Sequence, residues 1–511
     1  MSTAIQGGTT TTATTNPYQF PVASYGAKGN GKIVYDGQMT ALGATLTCAT
    51  STPFTSADVS KYVLVQGAGS ANAATLVAQI TGYISASQVT LSVAAAASVS
   101  AAGVLYGNDD TAAINAAVSA AVTYGTTHSN EAEILFSSLI YMVAGPLVQG
   151  GATKGNAQIP LPFVAMTGPK LILKFTGLPD TPTVLYGLNS TPQVSGACLV
   201  CARSDGTNNI TYGAASVIGG YTPQQGAGNS VFSNVRPVFT GISVVVPYNS
   251  TYAGIDCYGC TGMCVRSVSV NAFASPSQVT NPSAGISSAN RYAFGLRTPT
   301  LSNDGNIIID NYAAYGVATG AAMSEHISAS RGFCVYCYVG IQGFSDANGG
   351  SMVHASRLHY WCCEACNSQL GFLAGDPLVR LDIGTFDVDT GSGSTPYTIN
   401  DPSSQGWGEI YLRGSGNVYT FNGGMSKLKV RSGDQLPGIW GSPPAVPASG
   451  TAQQNLSLRD AMVYVTGTMT AAVQINGVST GSLLAGGYLV PSLSTITLTY
   501  ASAPTWAWDL L

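Results

Sequence analysis

The chain holds 23 Asp and Glu in 511 residues, few enough that each carboxylate able to do chemistry can be considered in turn. Asp387 and Asp389 form the best pair. At i and i+2 of a strand they share one face, roughly 6 to 7 Å apart. At that separation one carboxyl can protonate a glycosidic oxygen while the other serves as base or nucleophile. The plainer reading is an exposed strand edge or turn beside Gly391. Glu325-His326, with His354 and His359 following, could form a histidine–carboxylate cluster for acid–base work. Asp310, Glu325 and Glu364 could converge if they lie on adjacent strands. On an extended scaffold such residues are more often solvated or tied into turns. Eliminative cleavage would instead need a Lys or Arg base, commonly beside a calcium site of clustered carboxylates. No nucleophile–base set, phosphate loop or metal-ligand set stands out, so no cofactor and no metal are expected. Trp506 and Trp508 could offer aromatic faces to a carbohydrate or a protein, although such a tail more commonly packs on its own sheet or at a subunit interface.

Eleven cysteines include four pairs at two-residue spacing: Cys198/Cys201, Cys257/Cys260, Cys334/Cys337 and Cys363/Cys366. The spacing reads like zinc-ligand text. Yet positions i and i+3 of one strand point to opposite faces, so such a pair cannot easily chelate one ion. The favoured expectation is reduced, buried cysteines acting as small hydrophobes. Cys337 and Cys363 stand 26 apart and would stack one above the other.

The elements that must position these groups announce themselves as a hydrophobic beat. Ile242, Val244 and Val246 return 26 residues later as Val268, Val270 and Ala272. Ile327 and Ala329 return as Val353 and Ala355, then as Val379 and Leu381. Ala329-Ser330-Arg331 reappears as Ala355-Ser356-Arg357. A period in the twenties marks a repeat architecture, and alternation at period two inside each repeat marks strands. Together they predict an all-β, right-handed parallel β-helix, a solenoid whose coils bury Ile327, Val353 and Val379 in one column. Arg331 and Arg357 would then share a repeat position and repel, unless Asp382 or an anion neutralises them. Charged residues make up 8% of the chain, against about 25% in an ordinary globular protein. Sparse charge suits coils stacked about 5 Å apart.

Two segments open the architecture. Tyr25-Gly26-Ala27-Lys28-Gly29-Asn30-Gly31 comes first, and Asn108-Asp109-Asp110-Thr111-Ala112-Ala113-Ile114 follows much later. The second starts an amphipathic helix with Ile114, Val118, Ala121 and Val122 as its stripe, and Asp109 or Asp110 can cap its free amides. The two segments together are similar to the opening motif of pectate-lyase-like β-helix proteins of bacteriophage tailspikes and minor tail proteins. There the halves run directly into each other and an Asp stands where this chain has Asn30. The resemblance spans residues 20–440 as architecture and only the opening motif residue by residue. It implies a structural role for Asp109 and Asp110 and specifies no chemistry.

The predicted organisation follows. Residues 1–20 form an N-terminal arm, and 21–32 with 108–130 form the opening motif and capping helix. Residues 33–107 form an inserted small β-domain, because 44–47, 63–65, 76–80 and 89–91 read as short strands between Gly/Ser turns. The β-helix runs over 131–440, with Ile307 and Ile309 marking one strand, outward loops expected at 275–305 and 390–407, and either a projecting loop or an irregular coil at 175–235. Pro437, Pro443, Pro444 and Pro447 mark a linker. A C-terminal β-domain occupies 450–511.

Composition excludes some classes. Net charge is −4 with no basic run, so no nucleic-acid footprint is present. No stretch of about 20 apolar residues suggests a membrane span. Met1–Thr15 lacks the basic start and apolar stretch of a secretory signal, so folding in a host cytoplasm is expected. The resemblance implies a tailspike or minor tail protein in the virion tail. As such it would be a rigid homotrimeric shaft that contacts other phage tail proteins and recognises host cell-envelope polysaccharide. The alternatives are a polysaccharide depolymerase, hydrolase or lyase, on the same β-helix, and a bacterial surface adhesin.

Overall fold

Strands of the predicted period-two kind stack in parallel along most of the chain in its computed structural model. The structure describes residues 16–70, 74–145, 148–149, 156–165, 167–178, 183–185, 193–195, 197–203, 208–209, 213–219, 233–274, 293–299, 307–324, 326–343, 352–372, 379–389, 397–400, 406–413, 419–422, 428–432, 444–455, 460–491 and 494–510. The 1–15 part of the arm, Pro437 and Pro443 lie outside the described residues. A fourteen-stranded sheet runs from Gln19–Pro21 through Glu131–Phe136, Leu171–Gly177, Val235–Thr240, Met263–Phe273, Ile307–Tyr315, Ile327–Val335, Met352–Glu364, Val379–Asp389 and Gly406–Arg413 to Leu428–Ser432. A ten-stranded sheet interleaves with it in sequence, through Ala253–Asp256, Phe294–Arg297, Thr319–Met323, Val339–Gly343 and Ser368–Phe372. The chain thus alternates between two parallel sheets, coil after coil, and is an all-β parallel β-helix. Its lumen is one continuous core from Ala132 and Ile134 to Ile383 and Ile410.

The coils do not keep one period. Val244 pairs with Val270, as the 26-residue beat requires. Ile307, however, pairs with Ile327, only 20 positions on. Ala329 pairs with Leu358, 29 positions on, and Arg331 with Tyr360. The expected column of Ile327, Val353 and Val379 is therefore not formed: the Ile327 amide meets the Ser356 hydroxyl instead, at 3.3 Å. A register irregularity between Met352 and Ser356 absorbs the difference. The repeated Ala-Ser-Arg text is a coincidence of composition, and Arg331 and Arg357 do not stack. Arg331 alternates with Asp310 and Arg266 across three coils, while Arg357 pairs with Asp382. Opposite charges in register replace the like-charge ladder.

The expected loops also contain coil strands. Ala197–Cys201 and Ser216–Gly219 lie inside 175–235, Phe294–Arg297 inside 275–305, and Tyr397–Asn400 inside 390–407. Each of these strands is only four or five residues long, which leaves little text in which a period could show.

Helix α1, Thr111–Thr127, buries Ile114, Ala117, Val118 and Ala121 against the first coil. Asp110 stands at its N-cap position without a side-chain cap bond. Its two carboxylate oxygens instead accept the amides of Lys28 and Gly29, at 2.6 and 3.0 Å. Burial pushes the Asp110 carboxyl above its usual range against the pull of those amides. Asp109 accepts the Thr111 amide, the first of the helix, and the Ala144 amide. Asn30 and Asn108 bond reciprocally, side chain to side chain at 2.7 Å and Asn108 amide to Asn30 oxygen at 3.1 Å. The two halves of the opening motif are thus clasped side by side although 76 residues lie between Gly31 and Asn108 in the chain.

Between them a closed six-stranded barrel is folded from Lys32–Met39, Thr45–Cys48, Gln88–Leu91, Leu76–Ser85, Tyr62–Val65 and Val99–Gly107. It has its own core of Leu46, Phe54, Val63, Val65, Val104 and Tyr106 among others. One outer row, Ile33, Leu105, Leu64 and Val77, crosses four of its strands. That row packs on Met142, Cys198, Val200, Val245 and Phe273, the outward residues of β-helix strands. Those strands are covered on both faces, which explains continuous apolar text such as Cys198-Leu199-Val200-Cys201. Thr75 pins the join: its hydroxyl donates to the Phe273 carbonyl at 2.6 Å and accepts the Tyr248 amide at 2.9 Å.

Two barrel carboxylates make it acid-sensitive. Burial opposes the charge of Asp58, but Lys61 at 2.6 Å and the Thr55 amide and hydroxyl outweigh it and hold the carboxyl below its usual range. Burial likewise opposes Asp36, and the amides and hydroxyls of Ser51 and Thr50 hold it well down. Both folded values lie below the unfolded value of about 3.9. The stabilisation is therefore complete above that value and is lost as pH falls through the folded values. Thermal melts of the barrel should drop in temperature as pH is lowered from about 4 towards 2. Asp58→Asn should flatten that dependence, and an unchanged slope would remove Asp58 as its source.

The C-terminal residues form a four-stranded and a three-stranded antiparallel sheet around Val463, Val465, Val473, Val490, Ile496 and Leu498. Pro444 and Pro447 lie against this unit, accepting from the Trp506 indole (2.7 Å) and the Tyr500 hydroxyl. Among the described residues no helix is long and apolar enough to cross a membrane.

Candidate functional site

Of the carboxylates singled out by spacing, only part lies among residues whose side chains the structure describes. Asp387 and Asp389 lie in the strand Val379–Asp389, where the register sets Asp387 beside Cys362 and Asp389 beside Glu364. Their side chains lie outside the described residues, as do Glu325 and the side chain of His354. His326 is described, in a left-handed conformation (φ 58°) just before the strand Ile327–Val335. A histidine there turns the chain into the coil. His359 is exposed on the next coil. Asp310 stays with the surface charge ladder and accepts the Ser330 hydroxyl at 2.5 Å. Its coil partner Arg331 pairs on with Tyr360, four residues before Glu364, so Asp310 and Glu364 are separated by roughly 13 Å of strand and do not converge. The carboxylate juxtaposition that the register does create is Glu364 with Asp389, on adjacent strands about 5 Å apart. Spacing could not reveal it, because the coil step there is 25 residues.

Trp506 and Trp508 face the core side of the three-stranded sheet, opposite Val465 and Val463. Their rings meet edge to face at 5.4 Å, and both pack against the C-terminal core. On the other face the alternation Ala461/Val463/Val465 inward leaves Tyr464 outward, 49% exposed, and Leu489 on the neighbouring strand is equally exposed. Tyr464 is the aromatic surface that sequence reading passed over, although strand alternation alone would have found it. Beside it, at the Thr466–Met469 and Ala501–Pro504 turns, lies a cleft of about 470 Å3 whose lining includes Thr466, Thr468, Thr470, Ser502 and Thr505 and no charged group. Hydroxyls without charge suit a neutral, hydroxylated ligand.

The cysteine pairs divide by local geometry. Cys198 and Cys201 share one strand, and as expected they face opposite ways, Cys198 to the barrel and Cys201 to the lumen. The face argument fails for the other three pairs, because each spans a turn. Tyr336 (φ 52°) and Ala365 (φ 48°) bend the chain between Cys334 and Cys337 and between Cys363 and Cys366. The Cys260 amide returns to the Cys257 carbonyl at 3.0 Å. All six sulfurs enter the lumen core. The stacked partner of Cys363 is Cys334, not Cys337. Burial pushes the thiols of Cys337, Cys363 and Cys366 well above their ordinary value.

No family model matches the chain, and no curated protein matches it. Among solved structures it is similar to the Gp54 tailspike of Acinetobacter baumannii bacteriophage AP22 in complex with A. baumannii capsular saccharide. The identity is 8%, over 93% of this chain and 82% of that one, with a TM-score of 0.21. It is also similar to the tailspike gp61 of Pseudomonas phage phi297, at 10% identity over 94% of this chain and 82% of that one, with a TM-score of 0.17. Superpositions this loose carry no argument about fold or function.

Proposed function

We propose that the chain is a structural and host-recognition component of a bacteriophage tail, a tailspike or minor tail protein. In this reading the β-helix is a stiff shaft shared by three copies, the arm and barrel join it to other tail proteins, and the C-terminal unit meets a cell-envelope glycan. The observation that carries the reading is the unbroken parallel ladder of two sheets beginning at a clasped opening motif. A rod of that kind presents surfaces and has little interior to offer a substrate. The uncharged hydroxyl-lined cleft and the exposed Tyr464 ring suit sugar hydroxyls and C–H faces.

The test is saturable binding of the purified chain to immobilised envelope polysaccharides. Tyr464→Ala should weaken binding to the recognised glycan about tenfold, roughly 1.4 kcal/mol. Binding to no polysaccharide of a susceptible host would remove the recognition role.

One observation favours a depolymerase on the same rod: Glu364 stands opposite Asp389. Paired positions on adjacent strands lie about 5 Å apart along the ladder, a backbone spacing close to the roughly 5 to 5.5 Å that a retaining hydrolase needs between its carboxyls. Reducing ends released from the bound polysaccharide, and lost in Glu364→Gln and Asp389→Asn, would establish that activity. Unchanged polymer length would leave the chain a binding protein.

A further inference from the structure

The end of the barrel opposite its chain connections exposes apolar side chains that its fold does not use. Leu42 is 88% exposed and Val93 45%. Neither belongs to the barrel core. They sit on neighbouring segments: 40–44 joins Lys32–Met39 to Thr45–Cys48, and 92–98 joins Gln88–Leu91 to Val99–Gly107. The Leu42 amide donates to the Ala95 carbonyl at 2.7 Å, and the Ala95 amide to the Gly43 carbonyl at 2.8 Å. The Ala41 amide donates to the Ser98 hydroxyl at 2.9 Å, and the Ala96 amide to the Ala68 carbonyl at 2.8 Å. Ala41, Ala94 and Ala96 are exposed around them. Backbone bonds thus hold an apolar knob in one shape.

The knob is also strained. The Gly43 amide closes a turn on the Thr40 carbonyl at 2.9 Å, and Leu42, the third residue of that turn, is left-handed (φ 66°). Glycine or asparagine normally takes such a position. The leucine opposes folding twice, by strain and by exposure, and gains no contact in the core. A contact outside the chain accounts for it.

Charge and shape narrow the partner. Between Asp36 and Asp58, and between Lys61 and Asp109, the chain has no Asp, Glu, Lys or Arg. Lys32, Asp58 and Lys61 stand at the opposite end, where the chain enters and leaves the barrel. A knob without cations is not drawn to an anionic lipid surface, and one leucine and one valine bury too little to hold a membrane alone. Two copies related by a two-fold axis would meet tip to tip, leucine on leucine, and cover little area. An uncharged apolar socket on another protein fits both the shape and the chemistry.

We propose that the Leu42 and Val93 end of the barrel is a docking knob that seats in an uncharged apolar socket of a second tail protein. The assignment rests on the tail reading above and names the surface through which the barrel makes its join. The turn is already ordered, so docking loses little entropy, and no charge has to be stripped of water.

In the test, purified full-length chain is mixed with phage particles assembled without it and sedimented in a density gradient. Wild-type chain should travel with the particles saturably. Leu42→Asn/Val93→Ser should bind at least about tenfold more weakly, the scale set by withdrawing a leucine side chain from water. Its melting temperature should stay level or rise, because asparagine accepts the left-handed turn, and its polysaccharide binding should be unchanged. A leucine serving only the fold would lower the melting temperature when replaced. Should the double variant not fold, Leu42→Asn alone carries the test. A variant that attaches as tightly as wild type overturns the knob and leaves the tail reading standing. Wild-type chain that stays off the particles overturns the tail reading and the knob with it. A variant whose mass by light scattering falls below that of wild type makes this end a contact between copies. Wild-type binding to phosphatidylglycerol vesicles that the variant loses makes it a lipid anchor. Either result overturns the proposal.

Discussion

Replacing Gly332 by valine should eliminate soluble, folded protein. Gly332 lies in an inward column of Val268, Tyr312, Gly332, Trp361 and Phe386 on five successive coils. Trp361 is fully buried, and its ring spreads over the glycine towards Tyr312, 6.2 Å away. A Cβ at Gly332 would fall 2.4 to 2.5 Å from three indole carbons. Neither partner can yield, because the backbone is fixed by ladder bonds to both neighbours and the indole is enclosed. Trp361→Ala alone should cost about 3–5 kcal/mol through the cavity it leaves. The double variant Gly332→Val/Trp361→Ala should recover folded protein relative to Gly332→Val, since the valine then fills part of that cavity. Circular dichroism and soluble yield decide it. A Gly332→Val protein with unchanged melting would mean that the two coils are not in this register.

The second large effect is expected at the seat of the barrel. Leu105→Asp places an unpaired carboxylate in the contact between Leu64, Leu105 and the β-helix residues Met142, Val200 and Val245. Burying such a charge costs several kcal/mol, whereas undocking hydrates it. The barrel core is a separate cluster, so the barrel can leave its seat without unfolding. Hydrogen exchange should then rise sharply in Ile140–Val143 and Ala197–Cys201 while Tyr62–Val65 stays paired within the barrel. Leu105→Ala should produce a much smaller change. Exchange unaltered by the aspartate would show that the contact does not hold the two units together.

The strands of the longer sheet were legible because their inward positions carry Val, Ile and Ala in alternation, and Val244 over Val270 could be read directly. The other sheet was not. Thr319-Gly320-Ala321-Ala322-Met323 has no alternation, because it crosses a narrow lumen where neighbouring side chains such as Cys334 take the space. Coil length was illegible for a related reason: extra residues leave the helix as loops of any size, so the ladder fixes register locally and text similarity does not. The 26-residue return of Ala-Ser-Arg misplaced Arg331 for that reason. At the candidate sites, spacing exposed the cysteine pairs but not the left-handed Tyr336 and Ala365, which bring them to one side. Tyr336 and Ala365 are residue types that seldom adopt that conformation, so the sequence carried no warning. The Glu364–Asp389 pairing depends on the same unpredictable coil step.

The most direct measurement of the proposed role is mass spectrometry of density-purified phage particles from a host that produces this chain, combined with blocking of adsorption by an antibody against residues 450–511. Peptides of the chain should be present in amounts comparable to other tail proteins, and the antibody should prevent attachment to cells. A chain missing from the particles and found instead on the bacterial surface would contradict the tail assignment and leave the adhesin in its place.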